Sequence, residues 1–322
     1  MPARSRGREA RRLLALPLVL TAVLAAACSS GDGSGAGGDA QKEPAVASTP
    51  ELLDANQAAY PLQAFSATAA QIDQLTRAQD VLVDQCMQRF GFRFTPEAST
   101  PVADTGRNTF RYGTANAETA SRNGYNRPEL AQPPRPRPNL GPNEQRVLHG
   151  EESLDPKSLP KSQEEADRQG GSADMINGLK VPIGGCLRES FLKLHAPKPN
   201  SIEPQYVFNL EQQANSSSRT DSRVAAAVSA WSACMAEKGY QSTNPVSPAQ
   251  DLGLSGAAAS GPEAIAAATT DVECKRKVNL VGIWSTVEAA YQQRLVEKNA
   301  ETLRLARAQL DESLRLATSL LR

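Results

Sequence analysis

The chain has few of the side chains on which most enzymes and ligand sites depend. It contains two histidines, and aromatic residues make up only 5% of the sequence. Neither His149 nor His195 has a cysteine, carboxylate or second histidine at metal-ligand spacing, and neither a phosphate-binding glycine loop nor an H-E-x-x-H motif occurs. The sequence therefore predicts no catalytic residue, no metal site and no cofactor.

Two serine–lysine pairs have a spacing that some enzymes use. Ser190 and Lys193 match the S-x-x-K pattern of penicillin-binding enzymes, as do Ser158 and Lys161. The K-T-G element that accompanies this pattern is absent, and Pro160 interrupts the second pair. We therefore predict no catalysis from either pair.

The chain also has no excess charge of either sign, with 35 basic and 35 acidic residues. Residues 1–27 carry five arginines and one glutamate, so their removal would leave 30 basic and 34 acidic residues. A slightly acidic protein does not attract polyanions. The sequence therefore predicts no nucleic-acid partner and no polybasic patch for a membrane.

One long apolar run is present, at residues 13–27, after an arginine-rich start. As a helix rising about 1.5 Å per residue it would reach roughly 22 Å, short of the ~30 Å hydrocarbon core. Such a run before small residues is typical of a signal peptide. Leu24-Ala25-Ala26-Ala27-Cys28 resembles a bacterial lipobox, with alanine at the position where leucine is usual. We expect cleavage after residue 27 and acylation of Cys28; the alternative is ordinary cleavage that leaves a soluble protein with a free Cys28.

The segment after Cys28 predicts a disordered tether over residues 28–50. Residues 29–40 are mostly Gly, Ser and Asp, which have nothing to bury. Membrane lipid, reached through acylated Cys28, is thus the first predicted partner, and the predicted location is the extracytoplasmic face of the cell membrane. Arg11-Arg12 before Leu13-Leu14 weakly resembles a twin-arginine signal. The general secretory and twin-arginine export routes both stay open.

The remaining cysteines predict two disulfides. Four cysteines in an exported chain allow three pairings, and no C-x-x-C motif or zinc spacing competes. The order of the predicted elements favours Cys86–Cys186 and Cys234–Cys274. The loop-closure estimate is roughly 4 to 5 kcal/mol for each bond.

The pattern C-M-x-x-x-G-aromatic occurs twice, at residues 86–92 and 234–240. Each copy follows apolar residues at helical spacing. These are Ile72, Leu75, Leu82 and Cys86 in the first copy, and Val224, Val228, Trp231 and Met235 in the second.

In both copies the glycine is predicted to follow the helix end at C′. This places the methionine at C3 and the aromatic residue at C″, positions that touch in a Schellman cap. The recurrence predicts a mainly α fold of two related, disulfide-stapled halves, residues 51–200 and 201–322. The first half would contain a proline-rich connection, which we interpret as an extended linker, with a PxxP ligand as the alternative.

The C-terminal part of the sequence predicts a long helix. Thr270 and Glu273 have capping-box spacing. Apolar residues then recur at a period of about 3.7, the period of one helix face. A helix of about fifty residues would be roughly 75 Å long, so its end must pack on an earlier helix, project, or meet an envelope partner through residues 271–322. A bend near Gly282 or Asn299 is the alternative. The apolar positions are Trp284, Val287, Tyr291, Leu295, Leu303, Ala306, Leu310, Leu314, Ala317 and Leu321.

These features together resemble uncharacterised secreted lipoproteins of streptomycetes and related actinobacteria. The resemblance rests on the lipobox, on CMQRFGF, CMAEKGY and VPIGGC, and on the stretch from Asp271 to Trp284 with Cys274 and Asn279. It covers about half of the mature chain and implies a location and a style of fold, without implying a chemistry.

The sequence thus predicts a non-catalytic surface lipoprotein that binds or scaffolds another envelope component, for example as an accessory part of a transporter. One alternative is a solute-binding lipoprotein, a class expected to alternate strands and helices. The other is an extracytoplasmic hydrolase, which would need a deep pocket with close carboxylates or a serine beside a lysine.

Overall fold

The structure is a computed structural model that describes residues 43–96, 106–128, 139–152 and 155–322. Within these ranges the chain forms eleven α-helices and one two-stranded antiparallel hairpin, which confirms the predicted mainly α fold. Cys28, residues 29–42 and residues 129–138 of the proline-rich connection lie outside the described residues.

The elements follow one another closely along the chain. Short 3-10 turns occupy Ala55–Gln57, Pro61–Phe65, Pro156–Ser158 and Gly256–Ser260. The hairpin consists of β1 (Met175–Ile176) and β2 (Leu179–Lys180). The helices are α1 (Ala69–Arg89), α2 (Ala117–Asn123), α3 (Pro142–His149), α4 (Gln163–Gln169), α5 (Gly185–His195), α6 (Tyr206–Arg219), α7 (Ser222–Glu237), α8 (Pro248–Asp251), α9 (Pro262–Lys277), α10 (Leu280–Lys298) and α11 (Ala300–Leu320).

Both C-M-x-x-x-G-aromatic motifs end a helix in the predicted Schellman cap. The two glycines have left-handed φ angles of 81° and 89°. At the end of α1, the Phe92 amide donates to the Met87 carbonyl at 3.1 Å. At the end of α7, the Tyr240 amide donates to the Met235 carbonyl at 3.0 Å. The cap therefore satisfies carbonyls that the helix itself leaves unpaired.

On α1 and α7, most of the residues predicted to share one face are buried. Leu75, Leu82 and Cys86 are buried. Ile72, on the same face of α1, is 56% exposed. The period places Ile72 on the correct face, but at the first turn of α1 the neighbouring elements leave a cleft in front of it.

The disulfides have the favoured pairing. Cys86–Cys186 joins the last turns of α1 to the first turn of α5, and Cys234–Cys274 joins α7 to α9. The Cα–Cα distances are 5.6 and 5.7 Å. All four cysteines are buried.

The predicted long C-terminal helical run is present, but it begins earlier and is divided into α9, α10 and α11. Gly261 and Pro262 start α9, so Thr270 lies inside the helix, where its hydroxyl donates to the Ala266 carbonyl at 2.9 Å. The capping box predicted at Thr270 was therefore wrong, and Cys274 lies near the end of α9. Proline at the first helical position costs no hydrogen bond, which favours the earlier start.

Two asparagines divide this run. Asn279 has a left-handed φ of 51° between α9 and α10. Asn299 separates α10 from α11, and its side-chain amide donates to the Leu295 carbonyl at 2.8 Å. Asparagine tolerates the left-handed region, as at Asn279, and competes for backbone groups, as at Asn299, so the run is interrupted both near Gly282 and at Asn299.

The end of the C-terminal run packs on an earlier helix. Ala317 and its neighbours on α11 pack with α1 and α5 around Leu75, Ala78, Leu82 and Leu194. The two predicted halves therefore interlock in one compact unit that begins at Glu43. The Glu43 carboxylate accepts from the Ser222 amide at 2.6 Å, which fixes residues 43–50 of the expected tether against the start of α7.

Among the described residues, no helix combines the length and the apolar character needed to cross a bilayer.

Candidate functional site

A fully buried carboxylate lies near the centre of the fold. Glu288 of α10 accepts hydrogen bonds from Arg111 Nε at 3.0 Å, from the Tyr112 hydroxyl at 2.9 Å and from Asn215 at 2.9 Å. Burial and the Glu288 charge raise the pKa of Tyr112, so its hydroxyl stays protonated and donates. Because both carboxylate oxygens are occupied by these donors, we interpret Glu288 as a structural junction between α6, α10 and residues 106–113.

A second buried ion pair lies within α9 and is connected to α7 through Trp231. Lys275 is 2% exposed and donates to Asp271 at 3.0 Å and to the Thr114 carbonyl at 2.8 Å. The Trp231 indole donates to the other Asp271 oxygen at 2.8 Å. Burial raises the pKa of Asp271 and lowers that of Lys275, while their mutual attraction opposes both shifts. These contacts are enclosed in the core and serve packing.

The S-x-x-K pair on α5 is engaged in other contacts. The Ser190 hydroxyl donates to the Leu187 carbonyl at 3.0 Å, and Lys193 donates to Glu189 at 2.5 Å. Glu189 also accepts from Arg89 on α1 at 2.5 Å. The arrangement links α1 to α5 beside the first disulfide. Throughout the part of the chain that the structure describes, no group of three or more His, Cys, Asp or Glu side chains is placed to share a metal ion.

The best candidate site is an apolar cleft of about 350 Å³ between the starts of α1 and α6, the end of α5 and the middle of α11. Two large apolar side chains at this cleft are unusually exposed, Ile72 at 56% and Phe208 at 50%. We call it the α1–α6–α11 cleft. Its apolar lining consists of Phe65, Ala67, Ile72, Leu75, Ile202, Pro204, Val207, Phe208, Ala306 and Leu310.

His195 is among the lining residues of this cleft. The residue ends α5, and its ring packs on Phe191 with 5.0 Å between ring centroids. Burial lowers the pKa of His195, so the ring is neutral at neutral pH. Within the described residues the imidazole has no hydrogen-bond partner, which leaves one donor and one acceptor for a ligand.

Arg107 is the cation of the cleft. Its Nη2 donates to both oxygens of the buried Glu211 carboxylate, at 3.0 and 2.9 Å. The Ser66 hydroxyl donates to the same carboxylate at 3.1 Å. No described residue accepts from Arg107 Nε or Nη1, so these donors remain open while Glu211 compensates the charge.

The floor of the cleft is fixed by side chains of α11. The Gln309 amide donates to the carbonyls of His195 at 2.7 Å and Ile202 at 2.8 Å, and it accepts from the Ile202 amide at 2.8 Å. The Ser313 hydroxyl donates to the Leu194 carbonyl at 2.6 Å. These bonds hold the end of α5 and the loop before α6 against α11, so the cleft is preformed.

Sequence reasoning did not identify this cleft. Ile72 was predicted only to share one helix face with its apolar neighbours. His195 was predicted to have no catalytic or metal-binding role, and Arg107 and Phe208 belonged to no motif. One weak signal exists, because Phe208 lies beside the buried stripe of α6 at Leu210 and Ala214. An apolar residue beside such a stripe is common on protein surfaces, so this signal alone is not specific.

Comparisons of the chain with protein-family models, with curated proteins and with solved structures find no match. The function is therefore argued from the residues and from the cleft.

Proposed function

We propose that this protein is a non-catalytic lipoprotein of the extracytoplasmic membrane face, anchored through acylated Cys28 and acting by binding. The observation that carries the proposal is the pair of buried disulfides, Cys86–Cys186 and Cys234–Cys274. Disulfides of this kind persist in oxidising compartments and are rare in the cytosol. They agree with the signal-peptide pattern that precedes Cys28.

The chemistry of the buried polar groups supports binding over catalysis. Glu288, Asp271 and Glu189 are each held by donors from other elements. The serine on the floor of the cleft, Ser313, donates to a backbone carbonyl rather than to a base. A hydrolase would need an activated nucleophile or a pair of close carboxylates there.

The surface proposed for an envelope partner is narrower than residues 271–322. Most of the apolar face of α9 and α10 is used within the fold, where Leu280, Trp284 and Val287 are buried. On α11, Leu305 and Leu316 remain 43% and 36% exposed. We therefore assign a partner contact to the exposed face of α11. The mainly helical fold also differs from the two-lobed α/β form expected for the solute-binding alternative.

Anchoring can be tested by fractionation of cells that produce the wild type or Cys28→Ala. We expect the wild type in the membrane fraction, with a mass that includes a diacylglyceryl group on Cys28, and the variant in soluble fractions. Mass mapping of both disulfides in the variant serves as the folding control. A wild-type protein with an unmodified Cys28 thiol would contradict the proposal.

The partner surface can be tested with a photo-crosslinking amino acid at Leu316, in intact cells. We expect one defined adduct. The same amino acid at Met175, an exposed apolar position on the hairpin, is the matched control. Equal labelling at the two positions would argue against a specific contact through α11.

A further inference from the structure

We propose that the α1–α6–α11 cleft binds a small amphiphile with an aliphatic chain and a free carboxyl head, that is, a fatty acid. The inference deepens the proposed binding function by naming a ligand class for this cleft, and it rests on that function. We infer this ligand class from the apolar side chains that form the walls of the cleft and from the polar groups at its edge.

The walls fit an aliphatic chain. They are formed mainly by aliphatic side chains and by two phenylalanines, Phe65 and Phe208. A volume of about 350 Å³ lies within the range of small-molecule sites. Among the described residues that line the cleft there is no tryptophan or tyrosine, and these are the amphipathic rings on which sugars usually stack. Exposed Ile72 and Phe208 would be covered by a bound chain, which removes their apolar surface from water.

The polar groups fit a carboxyl head. Arg107 offers Nε and Nη1 as donors, and the neutral imidazole of His195 offers a further donor. Glu211 already compensates the charge of Arg107, so the site lacks the surplus positive charge that a phosphate dianion would require. A carboxyl head brings at most one negative charge, so it suits this neutral site better than a phosphate dianion does, and its two oxygens can accept from these donors.

The cleft is ready to bind without rearrangement. Gln309 ties His195 and Ile202 to α11, so little ordering of the walls has to accompany binding. A protein anchored at a membrane also meets acyl chains of phospholipids, whose carboxyl groups are esterified. The predicted donors favour the free acid over the ester.

The test uses the full mature chain with Cys28→Ala, titrated calorimetrically with decanoate. We expect saturable binding with one site per chain. Phe208→Ala removes part of the apolar wall, and Ala306→Trp fills the cleft with a larger side chain. Each variant should weaken binding about tenfold or more. Leu53→Ala and Leu179→Ala are matched controls at exposed leucines outside the lining, and they should bind as the parent does.

The head group and the source of the chain are tested separately. Decanol should bind more weakly than decanoate, and His195→Phe should reduce that difference. Vesicles of phosphatidylglycerol should show no binding that depends on Phe208. The proposal is overturned if decanoate fails to bind, if Phe208→Ala binds as the controls do, or if the vesicles bind through the cleft and decanoate does not.

These outcomes are separable from those of the proposed function. Fractionation and the mass of Cys28 report on anchoring, whereas the titrations use a soluble variant that has no anchor. Loss of decanoate binding alone would remove the ligand class and leave the anchored lipoprotein in place.

Discussion

Among individual residues, the buried charges are the ones most sensitive to the loss of a partner. Lys275→Met should lower the free energy of unfolding by about 3–5 kcal/mol, because it leaves the Asp271 carboxylate buried without its cation. Adding Asp271→Asn should recover part of that loss, since the amide oxygen still accepts from Trp231 and no charge remains buried. Urea unfolding of the two single variants and the double variant measures this coupling. Losses that simply add would show that the two side chains do not act as a pair.

A second residue-level prediction concerns a glycine inside a helix. Alanine usually stabilises a helix interior by about 1 kcal/mol relative to glycine. At Gly282 a Cβ would lie 2.1 Å from the Pro50 carbonyl oxygen, so Gly282→Ala should instead destabilise by about 1–3 kcal/mol.

The denaturation midpoint measures the effect of Gly282→Ala. Gln293→Ala, at an exposed position on the same helix, is the control and should change stability by about 0.5 kcal/mol or less. A stabilised Gly282→Ala variant would mean that residues 43–50 are not held against α10.

At the level of elements, the two Schellman caps allow the same substitution to be compared at two helix ends in one protein. Gly91→Ala and Gly239→Ala should each cost about 1–2 kcal/mol, because both glycines have left-handed φ angles. A Cβ at Gly239 would meet nothing within 4 Å, and one at Gly91 would meet only Asn177 Nδ2 at 3.7 Å. The cost is therefore a backbone cost and should be nearly equal at both sites.

Chemical denaturation of the two variants compares the caps directly. Asparagine at either position should cost less than alanine, since it tolerates the left-handed region. A much larger loss at one cap would show that a tertiary contact, and not the helix end, determines the requirement for glycine there.

At the level of the whole molecule, the two disulfides constrain different lengths of chain. Their sequence separations are 100 and 40 residues. Loop-closure entropy predicts contributions of about 4.7 and about 3.9 kcal/mol. Replacing both cysteines of Cys86–Cys186 with serine should thus destabilise the fold more than the same change in Cys234–Cys274.

Thermal and urea unfolding of the two double-serine variants tests this order, with the reduced wild type as a reference. Because α1, α5 and α11 share one core cluster, loss of the first bond should also loosen the end of α11. Hydrogen exchange in α11 that is unchanged in the Cys86–Cys186 variant would argue against that connection.

Local patterns in the sequence were enough to predict α1, α7, the C-terminal helical run and the two disulfide bonds. The caps follow from glycine and its immediate neighbours, and the buried faces of α7 and α11 follow from helical period. The order of the elements favoured the observed cysteine pairs. These features depend on residues close together in the chain, so one sequence carries them.

Only the tertiary structure decided which surfaces meet. The burial of Glu288 and Lys275, the exposure of Ile72 and the position of His195 at a cleft depend on contacts between residues far apart in the chain. The helical spacing of apolar residues assigns a side chain to one face of its helix, whereas the burial of that side chain depends on which other elements pack against the face. The sequence by itself therefore determined the capped helices, the C-terminal helical run and the two disulfide bonds. The packing of the helices against one another created the cleft.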